Sequence, residues 1–369
     1  MTSRGAAVRI LLLLGSFVVG WLAAESVARA ILGPPGSAGP SAILLSEAPW
    51  RTSGRSLYYH SDRTVRLVAV VGGRIEYDIT FPTNDAGSID SSDYGTRDTS
   101  ARLRSWAIVG DSFTAGFHGG QPWIPQLRER VAARGQAVDI YNLGVGGTGF
   151  NHFLPSLRRA ERELGFGHSA VLFVTDDLSR PWWRPVVANR RIHFCAGFMT
   201  ERECVKRGST ILVLEDPEAG PDAILEQVRR NIPVRAASGW LGRLARFSHL
   251  AAWLDRPSPP AADDFVFAVD LPVWLGKLAH WANGREVVFL HLPERHEVAR
   301  GRYDVDVGPF MTAAGFRYVP LLSDCNFARS HYLADGHLGR EGNEELVNCV
   351  GSALGLLRST LHTRGNAGD

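Results

Sequence analysis

The sequence predicts an α/β protein, a three-layer α/β/α sandwich on a mainly parallel sheet. Three observations predict it. After residue 100, short apolar runs at 106–109, 138–143, 170–174 and 286–292 alternate with stretches whose apolar residues recur at helical spacing. Strands that are apolar throughout, separated by helices, are buried on both faces and belong to parallel sheets with right-handed crossovers. The 369 residues are 45% hydrophobic and 21% charged, with 10 Trp and 17 Phe, which supplies a large core and excludes a disordered chain. Forty basic residues against 38 acidic ones leave a net charge of +2, so the chain carries no overall footprint for nucleic acid.

Taken in order, Arg4 and Arg9 precede an apolar run from Ile10 to Ala24, and Glu25 and Arg29 follow it before Pro34-Pro35. Segment 1–35 is therefore expected to be a membrane anchor or signal segment. An uncleaved helix extended through 26–32 approaches the length of about 20 residues that a span needs. Ala23-Ala24 and Val27-Ala28 also offer the small residues at which a signal peptide is cleaved. Basic residues before the run place the amino terminus in the cytoplasm and the body outside a bacterial inner membrane, crossed once. Residues 36–56, rich in Gly, Pro, Ser and Ala at their start, read as a tether. Residues 57–100 read as a β-rich preamble, with alternating stretches at 64–71 and 75–81 joined at Gly72-Gly73 as in a hairpin.

The α/β body is expected over 101–361. Helices are predicted at 123–134, 150–164, 295–314 and 341–361, with a last short strand at 318–321. Between the third and fourth strands, 178–285 is too long for a crossover and reads as a largely helical cap. Ile224, Leu225 and Val228, then Leu241, Leu244 and Leu250, fall at helical spacing, with Trp240, Trp253, Trp274 and Trp281 as packing residues. Cys195, Cys204, Cys325 and Cys349 all lie in the part expected to be exported, where disulfides persist. On the coarse structure, Cys195 with Cys204 closes a hairpin and Cys325 with Cys349 ties a late loop to the last helix. Four cysteines allow three pairings, and four buried thiols are the other reading.

Chemistry in a parallel sheet collects at the carboxyl ends of strands. Gly110-Asp111-Ser112 follows the first strand and sets a hydroxyl where free N–H groups favour negative charge, as a nucleophile or simply as a helix cap. Asp335-Gly336-His337 lies in a loop before the final helix. A serine nucleophile needs a base, and an imidazole base needs a carboxylate to fix its tautomer. Gly144, Gly146 and Gly149 satisfy G-x-G-x-x-G, yet they follow the second strand and no acidic residue ends the next one about 20 positions on, so a dinucleotide site is rejected. Glycine-freed N–H groups suit an oxyanion hole instead. Trp182 and Trp183 either stack on a sugar at the cleft mouth or pack. His118 either lines the pocket or sits in a solvated loop. His152, His193 and His291 have no ligand spacing, so no metal and no cofactor is expected.

These residues together resemble the SGNH (GDSL-like) hydrolase family. The likeness rests on G-D-S-F at 110–113, Asn142-x-Gly144-x-x-Gly147, a strand ending in Asp176-Asp177, and a late D-x-H. It extends to the membrane-anchored bacterial branch over almost the whole chain, including Thr83-Asn84-Asp85-Ala86-Gly87 and the strand before Pro293. The resemblance implies a flavodoxin-like sheet, Ser112 as nucleophile, His337 as base and Asp335 as its orienting acid. It implies oxyanion donors from the Ser112 and Gly147 N–H groups and a third-block amide, with Asp111 and Asn142 beside the substrate. The family amide position holds Asp176, and an ionised carboxylate cannot donate. Three outcomes follow: Asp176 is kept protonated by apolar surroundings, two donors suffice, or hydrolysis is lost. D-x-H also occurs in related alginate-type O-acetyltransferases, which points to acyl transfer on a polysaccharide. The expectation is a serine esterase or O-acyltransferase, most plainly of acetyl groups, on an extracytoplasmic glycan or other acylated substrate. The alternative is a catalytically silent glycan-binding protein working with polysaccharide-assembly partners.

Overall fold

The computed structural model describes residues 41–95, 104–207, 209–232 and 265–357, together with Ser16, Gly20, Trp21 and Ala24. These residues fall into two compact units. The small one holds the described residues up to Ala42, Val70–Ile75 and 220–232, and the large one holds the rest. Ser16, Gly20, Trp21 and Ala24 are helical, and the remainder of the expected anchor lies outside the described residues. Among the described residues no helix is long and apolar enough to cross a membrane.

Among the described residues thirteen strands run in chain order: β1 (Ala42–Leu45), β2 (Trp50–Ser53), β3 (Ser56–Tyr59), β4 (Thr64–Val71), β5 (Arg74–Pro82), β6 (Trp106–Gly110), β7 (Ile140–Gly144), β8 (His168–Phe173), β9 (Trp183–Ala188), β10 (Arg191–Ala196), β11 (Ser209–Val213), β12 (Val287–His291) and β13 (Arg317–Pro320). The central sheet has the order β7-β6-β8-β12-β13, all parallel. Counted within this sheet the order is 2-1-3-4-5, the flavodoxin-like winding, whose direction reverses between β6 and β8. All five residues of β6 and of β12 are buried, which is why both read as unbroken apolar runs.

Alternation along the strands feeds two layers. Ile108, Leu172 and Leu290 face one side, where they pack with Trp123, Ile124 and Leu127 and with Leu346, Val347 and Val350. Those residues belong to the helices α2 (Trp123–Ala132) and α5 (Arg340–Ala353). Ala107, Val109, Val171 and Phe289 face the other side. There they meet α3 (Phe150–Glu163) and α4 (Leu271–Ala282) through Phe150, Phe153, Leu157, Trp274 and Leu278. One more helix, the single turn α1 (Ser112–Ala115), follows β6 directly.

Register decides where the loops meet. Gly110 pairs with both Gly144 and Leu172, so β6, β7 and β8 end at one level and their loops leave together.

The insertion departs from expectation. Its first part is mainly strand: β9, β10 and β11, with the helix Glu201–Arg207 between the last two, join β1, β4 and β5 in a six-stranded sheet of order β5-β4-β1-β11-β10-β9. The hairpin at Gly72-Gly73 is present, with both residues at positive φ, the conformation that matches strand twist. Ile224 and Val228 lie buried on the helix Pro221–Asn231, and Trp274 is buried on α4, while Trp240, Leu241, Leu244, Leu250 and Trp253 lie outside the described residues. Residues 295–314 form two short helices, Arg295–Arg300 and Gly308–Ala313, because Gly301 adopts positive φ and ends the first. Cys195 is bonded to Cys204 and Cys325 to Cys349.

Candidate active site

Ser112 begins α1 immediately beyond β6, and Asp111 caps that turn by accepting from the Phe113 N–H at 2.9 Å. Four residues are too few for a macrodipole, so the local field comes from individual groups. The structure brings Ser112, His337 and Asp335 together across 225 residues of sequence. Ser112 Oγ lies 2.9 Å from His337 Nε2, and His337 Nδ1 lies 2.9 Å from Asp335 Oδ2. The His337 backbone N–H donates to Asp335 Oδ1 at 3.0 Å, which locks the carboxylate into the turn whose middle residue, Gly336, has φ of 95°.

Burial alone would raise the Asp335 pKa. The hydrogen bond and charge of His337, its backbone N–H and the Tyr77 hydroxyl outweigh burial and hold the group well below the usual carboxylate range. Tyr77 Oη donates to Asp335 Oδ2 at 2.7 Å. Its neighbour Glu76 accepts from the backbone N–H groups of Ala334 and Asp335. Strand β5 thus grips the loop that carries the acid and the base.

His118 is a correction. Rather than a solvated loop residue, it is buried and its ring stacks on that of His337, with centroids 3.5 Å apart and planes 8° apart. Burial, and then the neighbouring His337, push its pKa well below the ordinary imidazole range, so it stays neutral.

The loop after β7 lies against the nucleophile. A Cβ placed on Gly146 would sit 3.8 Å from Ser112 Cβ. Gly147 has φ of 78° and its carbonyl accepts from Trp183 Nε1 at 2.7 Å, while Tyr59 Oη accepts from the Gly146 N–H at 2.9 Å. Among the described residues no acceptor takes the Ser112 or the Gly147 N–H. Both are available for developing negative charge.

Three residues expected at the substrate are buried. Asp111 and Asn142 are fully buried, and Trp183 is 5% exposed. Asn142 donates to the Ile89 and Ala115 carbonyls and accepts from the Gly144 N–H, so its amide is spent on holding the loops. Trp183 packs with Trp50 and Phe194. Trp182 is partly exposed and donates to the Arg55 carbonyl at 3.1 Å.

Asp176 is not enclosed by apolar groups. Its side chain is 55% exposed and accepts from Arg180 Nε and Nη2 at 3.1 and 2.9 Å. Asp177 is buried, and burial and then Asp111 raise its pKa well above the ordinary value, against the pull of Arg180. Sequence reasoning missed Arg180, although its offsets of four and three from the two aspartates are the spacing at which a helical turn joins opposite charges. Tyr59 and Tyr77 carried no signal beyond strand alternation.

Among the described residues two groups bring metal-type donor atoms within 4.8 Å of one another: His118 with Asp335 and His337, and Glu294 with His296 and Glu297. In the first, the lone pairs lie in two parallel ring planes and do not converge on one ion. In the second, Glu297 already accepts from Thr175 and from the Glu294 and Asp304 N–H groups, and His296 is paired with Asp304.

No family model matches the sequence, and no curated protein does. Among solved structures, a lipase/acylhydrolase from Enterococcus faecalis is similar at 13% identity and a TM-score of 0.34, over 68% of this chain and 95% of that one. An α/β-hydrolase enzyme from the metagenome of Lake Arreo, Spain, is similar at 14% and 0.38, over 69% and 97%. A two-domain esterase active on acetylated mannans is similar at 12% and 0.34, over 69% and 50%. At such identities and scores these likenesses say nothing about chemistry, which rests on this chain's own residues.

Proposed function

We propose that this chain is a serine-dependent esterase or O-acyltransferase of the SGNH type. The observation that carries the reading is the unbroken path from Ser112 Oγ through His337 to Asp335, 2.9 Å at each step, beside two unclaimed N–H groups. Ser112 attacks the carbonyl carbon of an ester while His337 Nε2 takes the hydroxyl proton. Asp335 stabilises the imidazolium, and the Ser112 and Gly147 N–H groups hold the oxyanion. Collapse expels the alcohol with the proton from His337 and leaves an acyl-serine. Water or a second hydroxyl, deprotonated by His337, then takes the acyl group. Ser112 is 7% exposed and hemmed by the Gly146 loop, which favours a small acyl group such as acetyl. An extracytoplasmic glycan ester remains the proposed substrate, with the protein held at a bacterial membrane by residues 1–35. The two bonded cysteine pairs support an oxidising compartment. The silent-binder reading rests on Asp176, and that carboxylate is held by Arg180.

A fluorophosphonate probe is expected to label Ser112 and no other residue, and Ser112→Ala to abolish turnover of 4-nitrophenyl acetate. A wild-type protein that is neither labelled nor active would overturn the reading.

A further inference from the structure

One guanidinium joins the ends of all three strands that build the site. Arg180 Nη1, sharing its two hydrogens among three acceptors, reaches Asp111 Oδ2 at 2.9 Å beyond β6, the Thr148 carbonyl at 3.0 Å beyond β7, and Asp177 Oδ1 at 2.6 Å beyond β8. Its Nε and Nη2 both reach Asp176 Oδ2. Without this cation, Asp111, whose Oδ2 lies 3.3 Å from Ser112 Oγ, would stand uncompensated beside the developing oxyanion, and Asp111 and Asp177 would have no exposed side-chain surface through which water could screen them. A buried carboxylate next to a developing anion raises the barrier that the N–H donors lower.

Asp111 presents a second difficulty, which Arg180 also meets. Ser112 Oγ lies 3.3 Å from Asp111 Oδ2 and 2.9 Å from His337 Nε2, yet it has one proton to give. A proton aimed at Asp111 is lost to catalysis. By occupying that same Oδ2 with a short charged hydrogen bond, Arg180 weakens its pull on the hydroxyl and leaves His337 the better acceptor. Its bond to the Thr148 carbonyl meanwhile fixes the loop that presents the Gly147 N–H.

We propose, resting on the serine-esterase reading above, that Arg180 is the positioning residue that makes a carboxylate at 176 compatible with catalysis. It sets its one positive charge against Asp111 and Asp176, bonds Asp177, and aligns the Ser112 proton and the Gly147 loop. It acts through these groups and does not itself touch the substrate.

The test is steady-state turnover of 4-nitrophenyl acetate by wild type, Arg180→Gln, Arg180→Lys and each Arg180 variant combined with Asp176→Asn. Arg180→Gln is expected to lower kcat about 100-fold with KM changed less than threefold, the size of a lost oxyanion donor. Arg180→Lys keeps the charge without the fork and is expected to lose about tenfold. Adding Asp176→Asn removes one of the carboxylates to be neutralised, so it should restore at least threefold in either background. Where Arg180→Gln fails to fold, the lysine pair decides. The proposal falls if both Arg180 variants keep kcat within threefold of wild type, or if Asp176→Asn restores nothing. An inactive, unlabelled wild type would instead sink the esterase reading on which it stands.

Discussion

Asp335 accepts from three donors, and each has a different consequence when removed. Tyr77→Phe deletes the hydroxyl at 2.7 Å and leaves the His337 bonds in place. A hydrogen bond to a charged group contributes about 1.5–3 kcal/mol, so the variant should lose about that much stability at pH 7 and about tenfold in kcat. Because the His337 bonds keep Asp335 well below the ordinary carboxylate range in both proteins and the unfolded chain is common to them, this difference should persist from pH 7 to pH 3, as urea titrations at the two pH values will measure. His118→Ala removes the ring stacked at 3.5 Å on His337. An aromatic pair contributes about 1 kcal/mol beyond burial, so a loosened base should cost about five- to tenfold in kcat with KM little changed, read by initial rates. Ser112, Asp335 and His337 were legible in the sequence because G-D-S and D-x-H keep their chemistry within a few residues. Tyr77 and Arg180 were not, and His118 only as one of two readings, since each meets the site through a partner that the fold brings to it.

At the scale of elements, the β6 and β7 loops form one device. Gly147 combines a left-handed φ of 78° with a Trp183 ring 3.3 Å from where its Cβ would stand. Gly147→Ala therefore strains the backbone by about 1–2 kcal/mol and displaces the N–H proposed to hold the oxyanion. The expected result is a fall of about 100-fold in kcat at nearly normal melting temperature, checked by esterase assay and calorimetry on one sample. The strand-turn-helix units of the central sheet were legible because each apolar run is buried whole. Boundaries moved by a few residues where caps decide them, as at Gly301. The sequence reading placed β9 to β11 in a helical cap: these strands pair with one another locally, but they join the rest of their sheet only through β11 against β1, with Leu44 opposite Leu212, and no local pattern encodes that long-range pairing. The bond between Cys325 and Cys349 closes a loop of 24 residues that contains the Asp335–His337 turn. Replacing both with Ala should cost about 3 kcal/mol by release of loop entropy, seen as a lower urea midpoint, and a midpoint unchanged within error would refute it.

Over the whole molecule, helix α3, strand β12 and the helix cap that follows β12 bring ionisable side chains into dry surroundings, and stability therefore depends on pH in opposing directions. Burial lowers His152 to about 4 and His291 to about 3, while burial and then Glu297 raise Glu294 to about 7. Below about pH 6.5 the unfolded chain binds a proton at each histidine that the folded chain refuses, so the histidines make stability fall as pH falls. Glu294 does the reverse between its ordinary range and about 7, since there only the folded chain keeps the proton. A bare pH curve mixes these contributions, whereas a variant isolates one. His152 is fully buried where its Nε2 accepts from the Trp183 N–H at 3.2 Å. His152→Gln removes that titration and leaves Glu294 and His291 common to both proteins. The variant is expected to be less stable than wild type at pH 7, where His152 is neutral and bonded. On going to pH 4.5 the gap should close by about 2–3 kcal/mol, because wild type alone must then keep an imidazole uncharged against its solvent preference. Urea unfolding at the two pH values reads this directly, and a gap that is constant or widens in acid would mean that His152 is protonated in the native state.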